Sequence, residues 1–340
     1  DGVRTVAFVR SRRGAESVAA LARHGLENLT APDPGADSRP FDGRSLADRV
    51  AAYRGGYLAH ERRLLEQSLH DGTLLGVAAT NALELGVDVS GLDAVLLSGW
   101  PGTRASLWQQ AGRAGRAGQD CLVVLIARDD PLDTYVVNHP EAVFGRPVEA
   151  TVLDPSNPYV LGPHLCAAAQ EQPLGADDLE LFGPTTQSVL EALERQRYLR
   201  RRSGGWFWTR RERACDLTDI RGTGGEPVRL VEAGTGRLLG TVDAVAAHST
   251  AHAGAVYVHQ GETYLVESLD LEEALAVVHR AFPNHTTSAR EVSEVRILAE
   301  EWSESWGQAQ LCFGTVEVTS QVIDLEARIA RLMEEEELAS

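Results

Sequence analysis

Two arginines three residues apart are the first indication of chemistry in this chain. Arg113 and Arg116 lie in the segment QQAGRAGR at residues 109–116. Residues at this spacing share one face of a helix, so both guanidinium groups can point at a single anion. Gly112 and Gly115 add no side chain to that face. The pattern therefore predicts an anion-binding surface.

A second polar segment, ATNALELGVDV at residues 79–89, lies upstream of the arginines. Short apolar runs precede both segments, at Leu74–Ala79 and Ala94–Ser98, and each run is bounded by Gly and Asp. Runs of this length and composition are typical of buried parallel strands. We therefore expect each polar segment to follow a buried strand.

Together, the two segments resemble motifs VI and V of superfamily 2 helicases, where the second RecA-like domain meets ATP and the nucleic-acid backbone. The resemblance implies that Arg113 and Arg116 are catalytic arginine fingers. Such residues place positive charge on the γ-phosphate as negative charge develops there during phosphoryl transfer. It also implies that Gln109, the first residue of motif VI, contacts the nucleotide or the facing domain.

In the motif V segment, Thr80 resembles the residue that contacts a nucleic-acid backbone phosphate. Gly86 and Asp88 resemble the turn that meets the ATP ribose. Taken alone, GRAGR is also an ordinary start of a helix, and LGVDV is a weak signal. The order of the two motifs, with a strand before each, favours the helicase interpretation.

One absence is equally informative, because the chain contains no lysine. It therefore has no GKT or GKS loop to hold nucleotide phosphates. We expect ATP with Mg²⁺ to bind only in the full-length parent, where the first RecA-like domain of the same polypeptide is the partner, and no cofactor to bind tightly to this chain alone. The start at Asp1, inside a strand-helix pattern, favours a fragment of a longer protein.

The segment Thr5–Leu26 is predicted to be a strand followed by a helix, and it resembles motif IV. Arg10, Ser11 and Arg12 follow the strand, at the edge where open α/β sheets place their ligands. We expect these three residues to bind nucleic acid. The alternative is that they form a solvated strand end.

The fold class predicted for the chain is multidomain. Residues 1–150 are expected to form a doubly wound parallel sheet, the second RecA-like domain, in which residues 53–67 resemble motif IVa. A winged helix and a small β-barrel are expected to follow, so an α/β domain precedes α+β and all-β parts.

Residues 151–173 are predicted to be a linker that is Pro-rich at first and then helical. The string DPSNPYVLGPHL, and DIRGTGGEP later in the chain, resemble the MrfA, SftH and Hrq branch of superfamily 2. A plain Pro-rich linker is the alternative for the first string, because Pro breaks regular structure in any family. Within the helicases, the Lhr type is the alternative, since it also carries a winged helix and a barrel.

Residues 174–213 are predicted to form a winged-helix domain that ends in the hairpin RRRSGGWFWTR. Arginine beside aromatic rings suits single-stranded or forked DNA, because arginine binds phosphate and the rings stack on bases. The candidate DNA-binding residues of this hairpin are Arg200, Arg201, Arg202, Trp206 and Trp208. Alternation places both tryptophans on one side, so inward packing of their rings is the alternative.

Residues 214–299 show short alternating runs separated by turn signals, which predict the small β-barrel. Residues 300–340 are predicted to begin a further, incomplete domain, with a strand pair and then a short acidic helix from Ile323. The cysteine cluster of the branch's zinc-binding domain does not follow. No metal site is therefore predicted.

Composition limits the possible classes of protein. The net charge of −17 argues against a uniformly basic nucleic-acid binder. Residues Arg195–Arg213, however, hold eight arginines and one acidic residue, and such a local stripe can still bind a phosphate backbone. The four cysteines are far apart, and no signal peptide or long apolar run is present. We therefore expect free buried thiols, no membrane partner and a cytoplasmic location.

The resemblance extends to about residue 320 and implies the C-terminal portion of an ATP-dependent DNA helicase or translocase. Its implied direction is 3′ to 5′, its implied role is DNA repair, and the isolated chain is expected to lack ATPase activity. A non-catalytic DNA-binding or scaffolding module with a motor-like domain is the alternative. The intact motif residues disfavour that alternative.

Overall fold

The computed structural model describes residues 3–29, 45–85, 89, 92–115, 120–151, 153–218 and 226–329. These residues fall into two units. One unit combines residues 1–149 with 225–340, and the other holds residues 150–224. The first unit therefore joins an N-terminal α/β domain to the C-terminal, β-rich part of the chain.

A five-stranded parallel sheet forms the centre of the α/β domain. Its strands are β1 (Thr5–Phe8), β2 (Val50–Tyr53), β3 (Gly76–Ala79), β4 (Ala94–Ser98) and β5 (Leu122–Ile126). They lie in the order β2-β3-β1-β4-β5 and pair in parallel. The helices of this domain are α1 (Arg12–Leu29), α2 (Ala59–His70), α3 (Arg104–Ala111), α4 (Pro131–Asn138) and α5 (Glu141–Phe144). The predicted parallel RecA-like sheet is confirmed.

Alternate residues of the strands are buried on opposite sides of this sheet. On β2, Val50 and Ala52 belong to a small cluster with Ala19 of α1. Tyr53 belongs instead to the larger core, which includes Leu69 of α2. Burial on both faces explains why these strands are continuous apolar runs in the sequence.

In the described residues of the second unit, three α-helices accompany a short hairpin and a 3-10 turn at Ala214–Leu217. The helices and the strands of the hairpin are α6 (Pro158–Glu171), α7 (Leu179–Phe182), α8 (Thr186–Arg195), β6 (Leu199–Arg202) and β7 (Gly205–Trp208). The predicted winged helix is confirmed. The helical part of the segment expected to be a linker is α6, and its Leu165 and Cys166 pack in one core with Leu190 of α8. This helix therefore contributes to the core of the winged-helix unit.

The C-terminal part of the first unit begins with a curled, mostly antiparallel sheet. Its elements are β8 (Val228–Glu232), β9 (Leu238–Val242), α9 (Ala244–Thr250), β10 (Val256–His259), β11 (Glu262–Asp270) and β12 (Leu275–Arg280). The strand order is β10-β11-β12-β8-β9, with parallel pairing between β12 and β8. Leu230, Leu239, Val266 and Val278 form its core. This curled sheet occupies the segment predicted to be a small β-barrel.

A long antiparallel hairpin of β13 (His285–Trp306) and β14 (Ala309–Ile329) follows the curled sheet. The expected strand pair is present. The prediction of an acidic helix from Ile323 is wrong for the described residues up to Ile329, which belong to β14. That segment stays paired with the first residues of β13, and the ladder of tertiary hydrogen bonds overrides its helix propensity. Strand β13 also runs through residue 299, where we expected the barrel to end. The domain limits themselves stay predictions.

Candidate nucleotide and nucleic-acid site

A cavity of about 170 Å³ lies at the carboxyl edge of the parallel sheet, beside the ends of β1, β3 and β4. Arg10, Asn81 and Glu84 line it together with Ser106 and Gln110 of α3. Open α/β sheets bind their ligands at this edge, outside the carboxyl ends of the strands. The motif IV, V and VI segments therefore meet where the fold is expected to place a site.

Thr80 follows β3 and is the N-cap of a 3-10 turn at Asn81–Leu83. Its Oγ1 accepts a hydrogen bond from the backbone N–H of Ala82 at 3.4 Å, and its own N–H donates to the carbonyl of Tyr53 at 3.1 Å. The residue is 6% exposed. Thr80 thus caps the motif V turn, and its hydroxyl retains a proton to donate.

Glu84 ends this turn and reaches the motif VI helix. Its side-chain carboxylate accepts from Ser106 Oγ at 2.7 Å and from Gln110 Nε2 at 2.9 Å. Both Glu84 and Gln110 are buried. Because Ser106 and Gln110 are one helical turn apart on α3, a single carboxylate binds one face of this helix.

Helix α3 ends at Ala111, so the prediction that Arg113 lies on a helix face is wrong, and Arg113 instead follows the helix and binds the backbone of motif V. Its guanidinium donates to the carbonyl of Glu84 and, at 3.2 Å, to the carbonyl of Val89. Its own carbonyl accepts from the N–H of Leu92 at 3.2 Å. The structure therefore brings the predicted finger Arg113 into direct contact with the motif V segment. Arg116, Gly86 and Asp88 lie outside the described residues.

The cavity is lined by Gln110, the residue after the predicted Gln109. The side chain of Gln109 is exposed, so its predicted contact with the nucleotide or the facing domain stays a prediction, whereas Gln110 is 6% exposed and lines the cavity. Glu84, Ser106 and Gln110 are functional candidates that sequence reasoning missed. The signal available was the four-residue spacing of two polar side chains on α3, facing an acidic residue in motif V.

The three predicted residues after β1 have different surroundings. Arg10 is exposed and lines the cavity. Ser11 accepts from the N–H of Gly14 at 2.9 Å, which stabilises the start of α1. Arg12 forms an ion pair with Asp243 at 2.5 Å, at the end of β9 in the curled sheet. Of these three residues, Arg10 is the one whose place fits the predicted ligand contact.

In the winged-helix hairpin, the register separates two faces. Arg200 pairs with Phe207, Arg201 with Trp206, and Leu199 with Trp208. Because directly paired residues of an antiparallel ladder share a face, Arg200 and Phe207 lie on the side opposite Trp206. Arg200 and Arg202 are exposed and line a shallow pocket with Phe207, which is half-buried.

The role predicted for Trp206 in stacking on DNA bases does not fit its position. Trp206 is 4% exposed and belongs to the hydrophobic core of the second unit. The guanidinium of Arg201 lies 4.9 Å from the centre of its ring. Trp208 is half-buried, and its Nε1 donates to the carbonyl of Glu212 at 3.0 Å. Inward packing, the alternative for the tryptophans, is what the structure shows for Trp206, and Phe207 is the aromatic residue beside exposed arginines.

All four cysteines are free thiols. Cys166 is buried, as expected, and burial raises the pKa of its thiol to about 11. Cys121, Cys215 and Cys312 are exposed, so the expectation of buried thiols was wrong for these three. Within the described ranges, no group of three or more His, Cys, Asp or Glu side chains is arranged to hold a metal ion. In the same ranges, no helix has the length and apolar character needed to cross a bilayer.

Two segments of the chain match known domain families. Residues 38–118 match the family described as "Helicase conserved C-terminal domain". Residues 153–223 match the family described as "ATP-dependent helicase HRQ1, winged helix domain". The two matches fall on the α/β domain and on the winged-helix unit.

Relatives match over nearly the whole chain. It is 33% identical, over 94% of its length, to the "Uncharacterized ATP-dependent helicase YprA" of Bacillus subtilis (strain 168), of which it covers 41%. It is 31% identical, over 94% of its length, to "ATP-dependent helicase hrq1" of Schizosaccharomyces pombe, of which it covers 29%. The solved structure "Crystal Structure of DUF1998 helicase MrfA bound to DNA" matches with a TM-score of 0.76 and 31% identity, over 98% of this chain and 43% of that chain. The chain thus spans less than half the length of these relatives.

The parallel sheet, the contacts between motifs V and VI and the matching domains define part of a superfamily 2 helicase, with a RecA-like domain followed by a winged helix. Within that superfamily, the chain belongs to the MrfA/Hrq type. The family predicted from the motifs is confirmed.

Proposed function

We propose that the full-length protein is an ATP-dependent DNA helicase or translocase, and that this chain supplies its second motor domain and some of its DNA contacts. The observation that carries the proposal is the contact of Arg113 with the motif V backbone, at the carboxyl edge of the sheet. Relatives named as ATP-dependent helicases support it, as does an MrfA structure described as bound to DNA and AMPPNP.

In this proposal, Arg113 and Arg116 stabilise the negative charge that develops on the γ-phosphate. Guanidinium groups fit that task, because they stay charged and bind phosphate oxygens through paired N–H donors. Gln109, Gly86 and Asp88 are the proposed nucleotide contacts. Since the chain has no lysine, the first RecA-like domain of the parent would hold the phosphates and Mg²⁺.

The proposed DNA substrate is single-stranded or forked, with translocation 3′ to 5′ and a role in repair. Thr80 and Arg10 would contact the backbone at the motor domain. At the winged helix, Arg200 and Arg202 would bind phosphate and Phe207 would stack on a base, because all three belong to one face of the hairpin.

ATP turnover of the full-length protein and of this chain, each with and without single-stranded DNA, tests the proposal. We expect DNA-stimulated turnover by the full-length protein and none by the chain alone. In the full-length protein, Arg116→Ala should lower turnover by about 10³-fold or more. Arg146→Ala, at an exposed arginine away from the motifs, is the matched control and should behave as the wild type.

Three outcomes would contradict the proposal. Robust turnover by the isolated chain would mean that the phosphates are held without a lysine loop. An effect of Arg116→Ala below about threefold would remove that residue from the catalytic role. Full-length protein that binds DNA but shows no turnover would favour the non-catalytic DNA-binding module instead.

A further inference from the structure

Glu84 is a buried carboxylate with an unusual set of partners. The residue is 7% exposed, and its carboxylate accepts from the hydroxyl of Ser106 and the amide of Gln110. These are the side-chain partners of the carboxylate in the described part of the chain, and both of them are neutral. Burial of a carboxylate is costly even when it is hydrogen-bonded, and among the described residues no arginine or histidine forms an ion pair with this carboxylate; the Arg113 guanidinium binds the backbone carbonyl of the same residue instead. This arrangement points to a role of Glu84 other than stability.

The position of Glu84 along the chain suggests that role. The 3-10 turn at Asn81–Leu83 begins with Thr80 as N-cap and ends with Glu84 as C-cap. The N–H of Leu83 donates to the carbonyl of Thr80 at 3.2 Å, and the N–H of Glu84 donates to the carbonyl of Asn81 at 3.0 Å. These two hydrogen bonds connect Thr80 to Glu84 within a single short 3-10 turn. A displacement of Thr80 would therefore move Glu84.

Glu84 reaches Arg113 by two routes. Its carboxylate binds Ser106 and Gln110, which sets the rotation of α3, and the N–H of Arg113 donates to the carbonyl of Gln110 at 3.1 Å. Its backbone carbonyl also accepts directly from the Arg113 guanidinium. One residue thus contacts both the helix that leads to Arg113 and the guanidinium itself.

We propose that Glu84 is a positioning residue that couples DNA contact at Thr80 to the placement of Arg113. This inference rests on the proposed function, because Thr80 and Arg113 have their roles from it. The physical link is continuous: a capped turn, a buried carboxylate and one face of α3. Glu84 itself touches neither DNA nor nucleotide in this proposal.

The positioning role is tested first on this chain by hydrogen exchange, which needs no ATPase activity. Glu84→Ala should raise the exchange rate of the amides at 106–115 by about tenfold or more, while the amides of β1, β3 and β4 keep their protection. Glu84→Gln should stay near the wild type. The side-chain carbonyl introduced by this substitution can accept from Gln110. The side-chain amide can donate to the Ser106 hydroxyl, because a hydroxyl also accepts hydrogen bonds. Unchanged exchange at 106–115 in Glu84→Ala would overturn the positioning role, whether or not the full-length protein is a helicase.

The coupling role is tested in the full-length protein. Glu84→Ala should lower the ratio of DNA-stimulated to basal turnover by about tenfold, with KM for ATP within about threefold of the wild type. Gln110→Ala should lower the same ratio in the same direction, and it serves as the second variant if Glu84→Ala does not fold. Glu84→Gln should restore the ratio, and Glu141→Ala, at an exposed glutamate, should match the wild type.

Three results would overturn the coupling role. They are a lower melting temperature with the ratio unchanged, a loss confined to KM, and a Glu84→Gln variant as defective as Glu84→Ala. The wild-type full-length protein separates this failure from failure of the proposed function. If it lacks turnover, the proposed function fails, and the hydrogen-exchange result alone decides whether Glu84 positions Arg113.

Discussion

Glu16 of α1 and Arg54, which follows β2, form a buried ion pair with Arg54 Nε 2.9 Å from Glu16 Oε1, and each side chain is 2% exposed. The same carboxylate accepts from the N–H groups of Gln260 and Gly261 of the curled sheet, each at 3.1 Å. Arg54 donates to the carbonyl of Val258 at 2.7 Å. The α/β domain and the curled sheet of the first unit are therefore joined through a charged network whose members are hydrogen-bonded.

Removing one member of this pair should destabilise the first unit strongly. Glu16→Ala leaves the Arg54 guanidinium buried without its carboxylate, which should lower the free energy of unfolding by about 3–5 kcal/mol. Urea denaturation followed by circular dichroism measures the change. Glu317→Ala is the matched control, because Glu317 pairs with Arg296 at an exposed site on the hairpin, where ion pairs contribute little. Equal effects of the two substitutions would contradict the prediction.

His259 should make the stability of the first unit depend on pH. Burial, together with the nearby charge of Arg54, lowers the pKa of His259. Glu61 Oε1 lies 3.9 Å from the ring Nε2, beyond hydrogen-bonding distance, so its attraction does not offset the burial. Glu16 and Arg237 are the other charged groups that act on this ring.

The sign of the dependence follows from which state binds the proton. Below the ordinary histidine pKa of about 6.5, the unfolded chain takes up a proton that the folded chain resists. The contribution of neutral His259 to the free energy of unfolding should therefore be complete above that pH. It should fall as the pH drops below about 6.5. Urea midpoints between pH 7.5 and about 5.5 should show this slope, and His259→Asn should reduce it. The same slope in both proteins would rule out His259 as its source.

Much of the site could be predicted from the sequence, because its signals are local. The strands β3 and β4 are short apolar runs with Gly and Asp nearby, and Thr80 and Arg113 follow them at motif spacing. The partners of Glu84 could not be found this way. Ser106 and Gln110 are 22 and 26 residues away, and their contact with Glu84 depends on how α3 packs beside the turn.

Contacts between distant parts of the chain were the least predictable. The bond between Arg54 and the carbonyl of Val258 joins residues 204 positions apart, and no local pattern encodes such a pair. The segment from Ile323 shows the opposite problem. Its local composition favours a helix, yet pairing with β13 keeps it extended as far as Ile329.

Thr80→Val should uncouple DNA binding from ATP turnover in the full-length protein. The substitution removes the hydroxyl proposed to bind a backbone phosphate and keeps the volume of the side chain. It also removes the cap of the 3-10 turn, which should lower the free energy of unfolding by about 0.5–2 kcal/mol. We expect a lower ratio of DNA-stimulated to basal turnover. Thr80→Ser keeps the hydroxyl and should retain the ratio, and equal loss of stimulated and basal turnover would place Thr80 at the nucleotide instead.

The exposed arginines of the winged-helix hairpin should bind DNA mainly through charge. Replacing Arg200 and Arg202 by Gln removes up to two phosphate contacts on the face that holds Phe207. On single strands, each contact contributes about 0.7 to the slope of log affinity against log salt concentration, so the slope should fall by up to about 1.4. Titration of a labelled single strand at several salt concentrations measures this slope. An unchanged slope would exclude the hairpin as a surface that binds the DNA backbone.

The two neighbouring aromatic residues of β7 should respond in opposite ways. Phe207 shares its face with Arg200 and Arg202, so Phe207→Ala should weaken single-strand binding by about 1–3 kcal/mol while the melting temperature and the salt slope stay unchanged. Trp206 is 4% exposed in the core, so Trp206→Ala should lower the free energy of unfolding by about 3–5 kcal/mol and weaken binding only as folded protein is lost. Melting, affinity and salt slope measured on both variants separate the two roles. If Trp206→Ala instead lost affinity with its melting temperature intact, Trp206 would be the stacking residue after all.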